Sequence, residues 1–494
     1  MEKLQAADFC ERFDPANPLH SEGRRVFVKG VGTVSAALLL GFLGGCEELE
    51  EAIRHRPIRR RLRTGSPEVD HAISLYTQAV TAMMGLPGTD QRNWANQAAI
   101  HGVFAHFNYC QHGNDHIFDW HRAYLFYFEK ICQKLTGDRK FGLPYWNWNQ
   151  TPDIHPAFLD TTSVLYLGRF NNSMTGSTAT ITPTLDPIFA DANYYTFRPQ
   201  FEGTPHNTVH TYIGGTMGTA ASALDPLFFM HHCMVDYSWY KWNVELGNNN
   251  PNAPAWVNAV WDHFVDADGN PASTTAAVTT LMPLLSYQYE SSAIGSYPAV
   301  APPRDEDEYR KLEKRIREGA DVRFDISLRI RIAERVAASI GKPLSLQTTV
   351  KPEDFARIVG SDAARERIFA TIQYAHLPAT SDFAVRVFLD LPSANAATPI
   401  SDPHYAGSFA FFGTEAPGSA DSAAGHLHRP SFLVDLTATL QRLKANPEFR
   451  EDRRMSLQLV PVPFGARFEK EDTELVLDSL DIIVTPVIVR SAPG

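Results

Sequence analysis

Two histidine-dense stretches constrain this chain more than any other feature. Residues 97–122 carry His101, His106, His112, His116 and His121, and residues 202–236 carry His206, His210, His231 and His232. Imidazole is a borderline ligand that suits copper, zinc or iron. His206 and His210 are four residues apart, which on a helix sets both rings on one face, one turn apart, able to chelate one ion. His232 follows after a loop and supplies a third nitrogen. Zinc proteases use the same spacing but place a glutamate directly after the first histidine, and here that position is Asn207. A hydrolytic reading therefore lacks its base.

The rest of the chain sets the frame for such a site. Its 494 residues allow two or three domains and a large core, and 44% hydrophobic with 20% charged residues is ordinary for a globular protein. A net charge of −11 argues against a nucleic-acid surface. No run of 18 apolar residues occurs, so no conventional spanning helix is expected. Residues 1–45 differ from the rest. Arg24, Arg25, Phe27 and Lys29 precede the apolar run 31–43, as in a twin-arginine export signal. Residues 43–46 resemble a lipoprotein cleavage box that would leave Cys46 as a lipid-anchored N-terminus. The alternative is a buried apolar helix with an incidental arginine pair. Five cysteines do not make a disulfide framework, and Cys132 and Cys233 read as buried thiols.

The periodicity predicts a mainly α catalytic domain, with a four-helix-bundle core around the metal site, followed by a C-terminal β-sandwich. Residues 46–65 read as a linker, with the basic segment 54–63 running over the surface. The catalytic domain then spans 66–291. Ser66 and Pro67 start a helix reaching about Met84. Further helices are predicted over 93–107, 120–135, from Pro205, and from Pro226 to about Leu246. Residues 292–304 are rich in proline and small side chains and read as a linker. A charged helical segment is expected over 305–318, with further helical patterns at 326–340 and 352–372. From 379 to 494, short strand-like runs at 383–389, 408–412, 431–436, 456–461 and 480–490 predict the sandwich.

Asp225-Pro226-Leu227-Phe228-Phe229-Met230-His231-His232, ending in Asp236, resembles the second copper-site signature of the tyrosinase, catechol oxidase and molluscan hemocyanin family. Trp120-His121-Arg122 with Tyr124 resembles the first-site helix, with His112 nine residues before His121, and Gln97 to Gly102 resembles the segment around the first ligand. The resemblance implies two copper ions that bind O2 as peroxide, one held by His101, His112 and His121 and the other by His206, His210 and His232. His231 is then a neighbour, with a swap left open. His106 and His116 compete for the first site but fit better as polar residues near the surface. Cys110-Gln111-His112 resembles the arrangement in which a thioether joins Cys110 to His112; the alternative is a free thiol. Leu143 to Trp148 resembles the aromatic strand behind the metals. Leu285 to Tyr289 resembles the Tyr-x-Tyr that closes the catalytic domain, and the C-terminal strands resemble the covering domain of latent plant enzymes. Tyr237 stands where the family usually has arginine, which leaves the partner of Asp236 open.

The resemblance also implies oxidation of small phenols by O2. Glu202 and Asn207 occupy the two positions that hold a proton-accepting water in enzymes that hydroxylate monophenols. Thr211 and residues 214–223 are expected to shape the entrance. The leading expectation is an exported tyrosinase, latent under a lid formed by residues after about 379. A catechol or o-aminophenol oxidase on the same scaffold is the close alternative. A hemocyanin-like oxygen carrier is the alternative of another class, and a zinc hydrolase a remote one. Oligomeric state stays open.

Overall fold

The computed structural model describes residues 56–179, 185–246, 248–290, 326–339, 342–363, 366–413, 430–445, 449, 454–464 and 474–486. The expected export signal, Cys46, the linker at 292–304 and the charged helix at 305–318 lie outside them.

The first half begins with a two-residue strand β1 (Ile58–Arg59), then helix α1 (Pro67–Gly85) and helix α2 (Trp94–His101). Ser66 and Pro67 do start α1. The helix expected over 93–107 stops at His101, because the chain turns into a hairpin of β2 (Gly102–Val103) and β3 (His106–Phe107). A β-carbon on Gly102 would lie 2.6 Å from the Ala220 carbonyl oxygen and 2.9 Å from that of His106, so glycine permits this close turn. Helix α3 (Ile117–Thr136) carries the predicted stripe Tyr124, Phe128 and Ile131 into the core. Next come α4 (Tyr194–Phe201), α5 (Asn207–Ile213) and α6 (Leu227–Tyr240). α6 buries nearly its whole circumference, as a central helix must. Phe229 of α6 stacks on Phe128 of α3 with centroids 3.6 Å apart. The hairpin β4 (Val260–Val265) and β5 (Pro271–Thr275), helix α7 (Ala276–Leu285) and β6 (Gln288–Tyr289) complete this half.

β6 pairs in parallel with β1. The basic segment expected on the surface is therefore partly internal, with Arg59 fully buried. Burial is tolerated because its guanidinium meets Glu129 at 2.9 Å and Asp236 at 3.0 Å and lies over the Tyr287 ring.

The second half is two packed antiparallel sheets around a separate apolar core. Its elements are β7 (Leu328–Ser339), β8 (Leu344–Thr349), α8 (Pro352–Gly360), β9 (Glu366–Tyr374), β10 (Phe383–Leu389), β11 (Tyr405–Ala410), β12 (Ser431–Asp435), α9 (Thr437–Leu443), β13 (Arg454–Pro463) and β14 (Glu474–Pro486). One sheet runs β11-β10-β13-β8 and the other β12-β9-β14-β7. Its strands begin at Leu328, well before residue 379. The helix expected over 326–340 is strand β7, and the one over 352–372 is helical only to Gly360 before becoming β9. Residues 328–332 alternate apolar and arginine, and Arg329 and Arg331 pair with Asp481 on β14. That cross-strand pairing selects the period of two over the helical spacing at which Ile326, Ile330, Ala333, Ala337 and Ile340 also recur in the sequence. Among the described residues no helix is long and apolar enough to cross a membrane.

Candidate metal centre

Each candidate histidine is held by a different local device. His101 ends α2, His121 lies in the first turns of α3, His210 is within α5, and His232 is within α6. His206 immediately precedes α5, and His112 comes from the loop before α3. All six are buried. The structure brings the two trios together: His121 and His232 stack with centroids 4.3 Å apart, and His112 and His206 lie 5.3 Å apart.

Hydrogen bonds at Nδ1 fix which nitrogen faces inward in His101, His121, His206 and His210. Nδ1 of His101, His121 and His210 lies 2.9, 2.7 and 2.9 Å from the carbonyl oxygens of Ala220, Ile117 and Met217. A carbonyl only accepts, so each Nδ1 carries the proton and each Nε2 presents a lone pair. His206 Nδ1 donates likewise to Asn207 Oδ1 at 2.8 Å. The Nε2 atoms of His101 and His112 face each other at 3.2 Å, and those of His210 and His232 at 3.1 Å. Nε2 of His121 and of His206 are buried without a hydrogen-bond partner. Inward-facing nitrogen lone pairs without protein donors are what a pair of imidazole-loving cations would satisfy, and copper fits this all-nitrogen donor set. Burial depresses the His101 pKa to about 3 and that of His206 to about 4, and it drives those of His121, His210 and His232 well down. The rings are thus neutral, the form that binds metal.

His231 differs. The indole N–H of Trp148 donates to its Nδ1 at 3.1 Å, which leaves the proton on Nε2. It therefore offers an N–H at Nε2, whereas Nε2 of its neighbour His232 is turned toward that of His210. His106 is exposed on β3, while His116 bonds Asp119 and stacks on Trp256. Cys110 is a buried free thiol, clustered with His101 and His112 so that their ligand atoms lie within 4.8 Å of one another. Burial pushes its pKa well up.

Glu202 and Asn207 both border the site; the Asn207 backbone N–H donates to the Glu202 carbonyl, while their side chains turn to different partners. Glu202 Oε1 accepts from the Gly113 amide at 2.6 Å and lies 3.5 Å from His112 Nδ1, while Oε2 accepts from Arg198 at 2.7 Å. Asn207 Nδ2 donates to the Ala410 carbonyl at 2.9 Å. Thr211 is buried and bonds the Asn207 carbonyl, and residues 214–223 wrap behind the rings, where Met217 and Ala220 hold His210 and His101. These carbonyls carry no side-chain signature, so sequence patterns could not reveal them.

Two further groups were missed. Phe412, just past β11, stacks on His210 at 3.9 Å and 21° and contacts the rings of His101, His112 and His206. Thr204 donates to the Ser408 carbonyl, and Ser381 to that of Gly218, so the sandwich is hydrogen-bonded across the mouth of the site. Behind α6, Asp236 accepts from Arg59, Arg122, Tyr287 and Tyr289. Arg122 of α3 and Arg59 of β1 supply the cation that Tyr237 does not.

A family model described as the common central domain of tyrosinase matches residues 91–166 and 161–245. The tyrosinase HcTyr1 of Hahella sp. (strain CCB-MM4) is 26% identical over 79% of this chain and 93% of its own length. A chloroplastic polyphenol oxidase of Malus domestica is 30% identical over 38% of this chain and 41% of its own. In fold, the chain is similar to a latent aurone synthase (polyphenol oxidase), with TM-score 0.60 and 19% identity over 87% of this chain and 89% of that one. It is also similar to latent apple tyrosinase, with TM-score 0.57 and 20% identity over 87% and 97%. The matched segments hold all six candidate ligands, so residues 91–245 carry a domain similar to the common central domain of tyrosinase, and the chain as a whole is similar to tyrosinases and polyphenol oxidases.

Proposed function

We propose that the chain is an exported, latent dicopper tyrosinase that converts monophenols to o-diphenols and o-diphenols to o-quinones. The observation that carries the metal assignment is the convergence of His101, His112 and His121 on His206, His210 and His232, with Nε2 atoms turned inward. When bound, a copper pair supplies the activation of O2 and accepts the electrons removed from the phenol. The protein's own residues orient the ring, exclude water and take the proton. The face of His210 now covered by Phe412 is a platform on which a phenol ring can stack. Glu202 and Asn207 flank that space, and we assign them the holding of a water that accepts the phenol proton. Proximity of Cys110 to His112 supports a thioether that would lock the His112 ring. Its formation is read as the loss of two hydrogens in intact mass after copper loading. The arginine pair and apolar run within residues 1–45 support export.

Oxygen uptake with a simple monophenol and no catechol primer tests the reaction. Hydroxylation supports a tyrosinase; uptake with catechols or o-aminophenols alone would select the narrower oxidase. No turnover of either after lid displacement would favour an oxygen carrier, and zinc in the purified protein a hydrolase.

The two adjacent histidines give a sharper check. His232→Ala is expected to lower bound copper from about two to about one per chain, because it removes a ring nitrogen turned toward His210 and the other candidate ligands. His231→Ala, which removes only an N–H beside the site, is expected to retain both ions. Elemental analysis of the purified variants reads this directly, and equal losses would reject the assignment of His232 over His231.

A further inference from the structure

Arg198 belongs to α4, outside the histidine clusters, yet it is buried and only 9% exposed. A buried guanidinium is costly unless its charge is met, and it is met here from two directions. Nη1 donates to Glu202 at 2.7 Å, one helical turn ahead, and Nη2 lies 3.3 Å from Asp115 in the loop that leads into α3. Asp115 is itself fixed, because its carbonyl accepts from Tyr194 and Trp256. The Glu202 carboxylate is thereby gripped at both oxygens, by Arg198 on one and the Gly113 amide on the other. Gly113 follows His112 directly. The pair of bonds therefore ties the segment bearing His206 to the loop bearing His112, and it sets the plane in which Glu202 faces the site.

We propose that Arg198 is a positioning residue that holds Glu202 in the orientation needed for monophenols, and so sets how well they are used relative to diphenols. The proposal rests on the assignment of Glu202 to the phenol proton. A diphenol can be oxidised with far less help from that carboxylate, so the two substrates should respond differently when the grip is loosened. With Arg198 gone, the carboxylate keeps one anchor and can rotate about the Gly113 bond. An atom displaced by about 1 Å at a reacting centre costs on the order of a hundredfold in unfavourable cases.

Arg198→Gln and Arg198→Lys in the full-length chain carrying Phe412→Ala test this. Two quantities are read: hydrogen exchange of the segment containing Gly113, with and without copper, and the ratio of monophenol to diphenol kcat/KM. In Arg198→Gln, exchange at Gly113 is expected to quicken about tenfold, since a tethered acceptor has become loose. The ratio should fall about tenfold, while the diphenol KM stays within about twofold. Arg198→Lys should recover much of both, since a point charge restores the pairing without the fork. Unchanged exchange with an unchanged ratio would overturn the proposal. So would equal slowing of both substrates, which is the mark of a merely structural role. Should the parent not turn over, the exchange of Arg198→Gln decides alone; should the glutamine variant not fold, Arg198→Met takes its place, and in either a rate equal to the parent's counts against the proposal. Glu202→Gln separates the two levels. If it leaves the substrate ratio unchanged, the proton-accepting role of Glu202 fails, while Gly113 exchange still judges the positioning role of Arg198.

Discussion

Shortening Phe412 to alanine is expected to raise catechol oxidation by the intact chain at least about tenfold. The Phe412 ring lies flat on His210 and touches three more of the candidate ligand rings, so substrate and lid compete for one space. Deleting a buried phenylalanine side chain costs about 3–5 kcal/mol. If only about 1.4 kcal/mol of that falls on docking of the sandwich, the open population already rises tenfold. Even with the sandwich still seated, the space over His210 is cleared. Monophenol hydroxylation should gain less than catechol oxidation, because Asn207 still donates to the Ala410 carbonyl while β11 remains docked. Oxygen uptake measured on the uncleaved protein decides it; turnover equal to that of the parent would remove Phe412 from the account of latency.

The second large effect lies behind the site. Asp236→Ala is expected to destabilise the protein by about 3–5 kcal/mol, because it strands charges that are otherwise buried and paired. Asp236 accepts from Arg59, Arg122, Tyr287 and Tyr289, drawing β1, α3 and the segment around β6 onto α6. Without it Arg122 keeps only a carbonyl contact and its place over Trp239, and Arg59 keeps Glu129. The expected fall in Tm is roughly 10 °C, with loss of copper, since α3 and α6 carry His121 and His232. A Tm within about 2 °C of the parent's would show the network to be dispensable.

The same carboxylate has a pH consequence. Burial alone would raise its pKa, but Arg122 and Arg59, helped by the two tyrosine hydroxyls, outweigh this and hold it below the ordinary value. A depressed folded-state pKa contributes stability above the unfolded value and loses it as pH drops through the folded one. The parent should therefore shed this contribution only below about pH 4, and Asp236→Ala should lack that component of acid unfolding.

Much of the candidate site was legible in the residue order because its chemistry is local in sequence. Spacing alone marked His206 and His210, which sit one turn apart, whereas His121 and His232 were marked by the resemblance of their segments to the two copper-site signatures. The start of α1, the core stripe of α3 and most strands of the sandwich were likewise visible, since each is written in a local period. The swap between His231 and His232 was not, because it turns on the indole N–H of Trp148, brought in from 83 residues away. β7 was misread because Ile326, Ile330, Ala333 and Ala337 recur at helical spacing, and pairing with Asp481 on β14 favours the alternation at 328–332 instead.

What the amino-acid order supplied by itself is the set of candidate donors: enough imidazoles, two of them at helical spacing, for a metal centre, with their pairing into two trios implied by resemblance. Only the tertiary structure decided which nitrogens face inward, what covers them and what holds Glu202. Tautomers are set by the carbonyls of Ala220, Ile117 and Met217, and the cover by Phe412. Glu202 is gripped by Arg198 and the Gly113 amide. Half of these contacts, those of Ala220, Gly113 and Phe412, join groups far apart in the chain, and most use backbone or apolar groups that carry no local pattern. They acquire their meaning only when burial removes water as the alternative partner.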